Sequence, residues 1–388
     1  MTVARSAADV LDQHVVFELE SIDRMYLNVW QPRLTHGGGA SGFFVAHRGH
    51  HYASTALMDP MTKAFVADIH GFVAARGLEL VSFGKGERKD DIAAQFLAGF
   101  TADEGVLFVG RAQEKAGVWR TQRRYNPVTG EPYAWLVRAT AFINFFYFYC
   151  VDADFGPFFL KFSTYFPYTA KLCLNGHEWA KRQAAKAGIG FTALDNGFAA
   201  VDLDGLETVQ AICDRLGPGH IDALLRKWLR ILPHPFTPAD EDAGYRYELS
   251  ILQAEFSLTQ MLDRPVSGRI FFEQVLHDNL DIGRPDRVSL VFNRRIRRRG
   301  KRPTPARFRT RVITDGVVPS LHVDYKNAKI KQYHKEGRAL RTETTINDTR
   351  DFGIGKRLLN LPALRQIGFP ANRRLLDVQR ISHDPIRG

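Results

Sequence analysis

Near the C-terminal end of the chain two carboxylates, Asp324 and Glu343, sit among cations: Lys329, Lys331, Lys335, Arg338 and Arg341, with Tyr333 between them. Carboxylate oxygens suit a hard divalent ion such as Mg2+, and phosphate oxygens held by lysine and arginine would complete its shell. Asp324 and Glu343 are therefore the candidate metal ligands of a Mg2+-dependent phosphodiester cutter. Tyr333 adds a phenol able to attack a phosphodiester and hold one strand end covalently, as strand transfer requires. Charge balance on a basic surface accounts for the same carboxylates, and a cross-strand salt-bridge ladder for the same cations.

A second acidic candidate lies in the first half. Glu87-x-Lys89 matches the Glu-x-Lys of restriction-type nucleases, in which carboxylates hold the metal and lysine polarises the attacking water. Asp152 and Asp154 also read as turn residues, and Asp90 and Asp91 as complements of a helix dipole. Gly84-x-Gly86, between a strand and a helix, could cradle a phosphate on backbone amides. It lacks the third glycine of a dinucleotide fingerprint and the Gly-Lys-Ser/Thr of a P-loop. His177-Glu178 lacks a second histidine at the zincin spacing, because position 181 is lysine. His47, His50 and His51 have no neighbouring cysteine or carboxylate to complete a metal site. No Gly-x-Ser-x-Gly is present.

The clearest signal is charge. The 388 residues carry a net +11, but positions 291–388 hold 24 Lys and Arg against eight Asp and Glu, and the preceding residues are net negative. A cationic end of this kind suits a polyanion, since each neutralised phosphate releases condensed counterions. Arg294, Arg295, Arg297, Arg298, Arg299, Lys301, Arg302 and Arg309 are read as a phosphate-gripping arm. Lys329, Lys331, Lys335, Arg338 and Arg341 are read as its continuation on a sheet, with Tyr333 or His334 able to stack on a base. The partner expected is DNA or RNA. A membrane partner is not expected, because the longest apolar run, 141–151, falls well short of the ~20 residues that span a bilayer. The first residues lack the apolar core of a secretory signal. Cys150, Cys173 and Cys213 are too few for a disulfide framework, and they read as buried residues of a cytoplasmic protein.

These residues need elements to carry them. Helical apolar spacing covers 61–76, followed by a strand over 78–83, a helix over 90–100 and a strand over 105–110, an α/β unit. Residues 134–151 and 157–164 read as an aromatic hairpin, 171–174 as a strand, and Asn175 as the cap of a helix to residue 187. Helices are predicted over 204–216, 220–232, 238–262 and 267–280. Two short helices, 271–280 and 285–299, would form a helix-turn-helix carrying the arginines. Strands are predicted over 308–314, 320–325, 329–335 and 338–347. On these strands Asp324, Lys329, Lys331, Tyr333, Lys335, Arg341 and Glu343 share an open face, and Leu321, Val323, Leu340 and Ile346 pack inward.

The stretches NFFYFYCVDADFGPFFLKFSTYFPY, CLNGHEWAKRQ and IKQYHKEGRALRTETTINDTRDFGIGKRL resemble signatures of a family of bacterial proteins without an assigned activity, over roughly residues 20 to 380. That resemblance implies no reaction. IKQYHKEG followed by LRTE is similar, over about 20 residues, to the Tyr-x-Lys and Leu-Arg-x-Glu strands of phage and plasmid replication initiators. It departs from them at His334, where those proteins usually carry aspartate, and no catalytic role is transferred on it.

The expected fold is α+β, with an α/β and β-hairpin domain (1–200), a helical domain (201–283) and a basic nucleic-acid-binding module (284–388). The expected function is nucleic-acid binding, led by a Mg2+-dependent endonuclease or strand-transfer enzyme of a mobile or defence element. The alternatives are a non-catalytic DNA- or RNA-binding component and a phosphate-ligand enzyme using the Gly84–Gly86 turn.

Overall fold

Period-two alternation of apolar and polar residues recurs along this chain, and the strands follow from it. The computed structural model describes residues 15–30, 44–47, 50–53, 55–84, 87–164, 169–189, 203–236, 247–264, 287–291, 306–307, 320–335, 339–347, 361, 365–366 and 368–369. In chain order the elements are β1 (Val15–Trp30), β2 (Phe44–His47), β3 (His50–Ala53), α1 (Thr55–Ala75), β4 (Leu80–Ser82), α2 (Lys89–Ala98), β5 (Gly105–Tyr125), β6 (Pro132–Asp152), β7 (Gly156–Ser163), β8 (Thr169–Asn175), α3 (Gly176–Lys186), α4 (Leu203–Arg215), α5 (Pro218–Leu229), β9 (Glu248–Leu262), β10 (Arg287–Val291), β11 (Ala306–Arg307), β12 (Ser320–Asp324), β13 (Ala328–Lys335) and β14 (Ala339–Ile346). Helices and mostly antiparallel strands are mixed, and two units are each assembled from distant stretches of chain. The first takes Met1–Tyr26, Asn175–Gly217 and Ile251–Gly388, and the second takes Leu27–Leu174 and Pro218–Ser250.

In the first unit the strands run β11-β10-β12-β13-β14-β9-β1. Lys331 on β13 stands opposite both His322 on β12 and Glu343 on β14, and Glu343 stands opposite Ser257 on β9. On the other parity of β9, Phe256 packs edge-on against Phe369, with ring centres 5.3 Å apart. Asn175 caps α3 as its spacing predicts, its Oδ1 accepting from the Glu178 amide at 3.1 Å. Arg365 closes the end of α4 by donating to the carbonyls of Cys213 (2.7 Å) and Asp214 (2.9 Å). A guanidinium suits that end, where helix carbonyls lack partners.

In the second unit the order is β8-β7-β6-β5-β4, antiparallel except for the β4–β5 pair. Alternate residues of β6 and β7 serve opposite faces. Phe146 and Phe162 meet Phe65 of α1, with ring centres 6.3 and 5.7 Å away, and Phe158 meets Trp228 of α5 at 5.1 Å. Tyr147, Tyr149 and Phe159 form the other face with Phe108, Phe83 and Phe96, and Phe108 stacks on Tyr149 at 4.5 Å. Asp152, read from sequence as a turn residue, does more than make the turn. Its carboxylate accepts from the amides of Asp154 and Phe155 and also from Lys227 Nζ (2.8 Å) and Trp228 Nε1 (2.9 Å), clipping α5 to the end of β6.

Three expectations change. Residues 248–262 form β9 rather than the end of a helix over 238–262. Ala254, Phe256 and Leu258 alternate with Glu255, Ser257 and Thr259, a period of two that outweighs the helical reading. Residues 287–291, expected inside the second helix of the helix-turn-helix, form β10 instead, paired with β12 from Arg287↔Asp324 to Val291↔Ser320; residues 292–299 lie outside the described residues. The sequence RVSLV, with its β-branched valines, fits a pleated surface. Finally, β14 is buried on both parities, so its polar face is not open. The predicted segments 267–280 and 308–314 lie outside the described residues. All three cysteines are buried thiols outside any disulfide. Among the described residues no helix is long and apolar enough to cross a membrane.

Two measurements follow. A Cβ on Gly176 would lie 2.2 Å from the Ile22 carbonyl oxygen, backbone that has nowhere to move. Gly176→Ala is expected to cost about 1–3 kcal/mol in urea unfolding. Burial by itself would raise the Asp152 carboxyl, but hydrogen bonds from Lys227, Trp228 and two amides outweigh it and hold the group below the usual carboxylate range. A folded value below the unfolded one gives stability that is full above roughly pH 4 and is lost as pH falls through the folded value. The stability difference between the protein and Asp152→Asn is therefore expected to shrink below about pH 4 in acid titrations of unfolding.

Candidate functional site

The site grows from one parity of five strands in the first unit. On β1, Asp23 interrupts the buried series Leu19, Met25, Leu27 and Val29. On β9 the same face takes Glu255, Ser257 and Thr259, and β14 gives Arg341, Glu343 and Thr345 to it. Strands β13 and β12 add Lys329, Lys331 and Tyr333, and His322 and Asp324. A one-residue register slip would replace this set with Phe256, Thr344 and Ile330, so the pairing itself assembles the site.

Arg341 is the centre, with a side chain only 5% exposed. Its guanidinium donates to Asp23 and approaches Glu343 Oε1 at 3.1 Å. Burial would lower its pKa, but the attraction of Asp23 and Glu343 outweighs burial and holds the cation charged. Asp23 Oδ1 also accepts from Ser21 and Ser257, both at 3.0 Å. Lys331 donates to Glu255 Oε2 at 3.2 Å and Glu343 Oε2 at 3.1 Å, and Thr345 donates to Glu255 at 2.9 Å. Burial opposes the charge on Lys331, yet the two glutamates raise its pKa above the ordinary lysine value. The Tyr333 hydroxyl donates to Glu343 Oε1. Burial first, and the Glu343 and Asp23 charges with it, push that phenol well above its usual range. Burial with Lys329 and Lys331 close by pushes His322 down to about 4, so its ring is neutral at neutral pH.

Ligand oxygens of Asp23, Glu255 and Glu343 all lie within 4.8 Å of one another. Three carboxylates from three strands offer a hard oxygen set of the kind a divalent cation takes. Arg341 and Lys331 already neutralise two of the three charges in this arrangement.

Of the sequence candidates, Glu343, Tyr333, Lys331 and Arg341 come together here. Asp324 does not join the carboxylate cluster and pairs instead with Lys329 at 3.5 Å. Arg341 is spent on internal carboxylates rather than presented to a polymer. Glu87 and Lys89 lie in the second unit, where Glu87 Oε2 accepts from the Gly84 amide at 2.6 Å and Lys89 donates to the Tyr147 hydroxyl at 2.5 Å. The Gly84 amide is thereby taken by a side chain, leaving a phosphate cradle at that turn without it. Lys335 lies at the end of β13, opposite Ala339. Arg294, Arg295, Arg297, Arg298, Arg299, Lys301, Arg302, Arg309 and Arg338 lie outside the described residues. Sequence reasoning missed Asp23 and Glu255. A lone aspartate inside an apolar strand stripe was the available signal for Asp23, and Glu255 was hidden by the helical reading of β9.

No family model matches this chain, and no curated protein matches it. Among solved structures, the rolling circle replication initiator protein from Geobacillus stearothermophilus aligns over 86% of this chain and 76% of its own, at 8% identity and a TM-score of 0.25.

Removing the guanidinium leaves Asp23 and Glu343 buried without their cation. Arg341→Ala is expected to destabilise by about 3–5 kcal/mol, whereas Asp324→Ala, which breaks a half-exposed pair, is expected to cost under about 1 kcal/mol. Urea unfolding of the two variants side by side checks the contrast.

Proposed function

We propose that this protein processes nucleic acid, with Tyr333 attacking a phosphodiester of a DNA strand at the carboxylate cluster of the first unit. The observation that carries this reading is the hydrogen bond from the Tyr333 hydroxyl to Glu343, at the point where Asp23 and Glu255 also converge. In the proposed step the tyrosine oxygen bonds to phosphorus while the bond from phosphorus to a sugar oxygen breaks. The phenolic proton passes to Glu343, and the departing sugar oxygen takes a proton from Lys331. The strand is left joined to tyrosine as a phosphodiester, so transfer to a new sugar hydroxyl or to water reverses the same exchange.

A phenol raised by burial and by neighbouring carboxylates is a poor nucleophile as it stands. A divalent cation shared by Asp23, Glu255 and Glu343 would cancel that negative field and polarise the phosphate, the role proposed here for Mg2+. Lys331 holds Glu255 and Glu343 in place until then. Arg341 holds Asp23 and Glu343 in place, a positioning role rather than a contact with the strand. The excess cations of 291–388 supply the grip on the polymer, a term that weakens steeply with salt. A non-catalytic binder is the second reading, favoured by the neutralisation of two carboxylates by Arg341 and Lys331.

End-labelled single- and double-stranded DNA and RNA incubated with the full chain separate the two. Cleavage with Mg2+ and none with EDTA is expected, falling by about 10^3-fold or more in Tyr333→Phe. Cleavage that survives Tyr333→Phe removes the tyrosine mechanism. Affinity without cleavage on any substrate leaves the binder.

A further inference from the structure

The second unit holds a cationic cluster that the proposed chemistry does not use. Lys161 of β7 lies with its Nζ 3.8 Å from the centre of the Phe145 ring and 5.1 Å from that of Tyr147. Lys89, at the start of α2, places its own Nζ 4.1 Å from the same Tyr147 ring and 5.6 Å from Phe83. Two ammonium groups thus share one buried tyrosine. A third lysine, Lys171 of β8, stands directly opposite Lys161 in the sheet register. Among the described residues no carboxylate comes within ion-pair distance of Lys161. Glu114 and Asp90 act on these lysines only at longer range.

This arrangement is costly by itself. Lysine is strongly hydrated, burial removes water from it, and like charges repel at this spacing. The aromatic faces return part of that cost through cation–π attraction. Burial, with Lys89 and Lys171 nearby, moves Lys161 down to about 8, the signature of a cation short of negative charge. The missing partner is an anion. A phosphate group offers several oxygens to two or three ammonium donors at once, and charge-assisted bonds of that kind are the strong ones. A local arrangement that conflicts with good packing electrostatics is where folded chains carry a binding function.

We propose that Lys89 and Lys161, with Lys171 at the rim, form a phosphate-binding site in the second unit, taking the phosphate of a nucleotide or of a nucleic-acid strand. None of these three lysines takes part in the proposed tyrosine chemistry, and the site does not depend on it. Phosphate seated there would lie beside the Phe83, Phe145 and Tyr147 rings, where partial shielding from water strengthens the ionic contacts.

Lysine acylation read residue by residue in a mass spectrometer tests it on the full chain. Acetic anhydride is applied with inorganic phosphate, with thymidine monophosphate, with a twelve-residue oligothymidylate, or with chloride at matched ionic strength. At a ligand concentration ten times its Kd, acylation of Lys89 and Lys161 is expected to fall about tenfold, while the exposed Lys63 and Lys115 change little. Protection by phosphate or the mononucleotide identifies a free-nucleotide site, and protection by the oligonucleotide alone identifies a strand contact. Lys161→Met, which keeps the apolar stem over Phe145, is expected to raise the Kd read from Lys89 protection about tenfold. Equal protection by chloride, no protection by any of the three phosphates, or unchanged affinity in Lys161→Met would overturn the proposal. Tyr333→Phe is expected to leave the protection intact, so failure of this site and failure of the tyrosine reading are told apart.

Discussion

A guanidinium buried between two carboxylates is the constraint around which the first unit is arranged. Arg341 cannot lie nine-tenths out of water without partners, and its partners come from β1 and from its own strand. Meeting that demand fixes β14 in register between β9 and β13, and it brings β1 close enough for Ser21 and Ser257 to share Asp23. Every polar side chain that follows has its place through this contact. Lys331 reaches two glutamates, Thr345 reaches one, and Tyr333 reaches Glu343, because the strands carrying them are held in one alignment. A wholly apolar face would pack with less cost. The network therefore reads as a polar core retained for what it positions, consistent with the way buried ionic groups specify arrangement more than they add stability.

The same network sets the chemistry available. Two cations against three carboxylates leave the cluster short of positive charge, and the phenol beside it is pushed up rather than activated. A divalent cation would resolve both conditions together, and so the proposed reaction requires one. The second unit shows the opposite imbalance. There two lysines crowd one tyrosine over an aromatic floor, and an anion is what the cluster lacks. Unmet charge at particular atoms marks both sites.

Much of this was legible in the sequence. The parity of Leu321 and Val323 against His322 and Asp324, and of Leu340 against Arg341 and Glu343, places Lys331, Tyr333 and Glu343 on one face. Asn175 announced its helix, and the turn chemistry of 152–156 announced the hairpin. Three things were not legible. The partner of Arg341 lies 318 positions away, and no local pattern records such a pairing. The alternation in 248–262 was overridden by the length and helical propensity of the surrounding stretch, so Glu255 was never placed on a sheet. The arginines of 294–299 suggested a recognition helix, but the adjoining RVSLV carries strand-forming valines and pairs with β12. Composition gave the charge of the C-terminal end, but not which of its cations are spent internally: Arg341 and Lys331 are, and charge counting treats them like any other.

In the proposed reaction the Tyr333 oxygen takes up a strand end. After incubation of the protein with a single-stranded oligonucleotide and Mg2+, tryptic digestion and mass spectrometry should find the peptide 332–335 carrying a nucleotide through Tyr333. A nucleotide on any other residue, or cleaved strands with no protein adduct at all, would contradict the account.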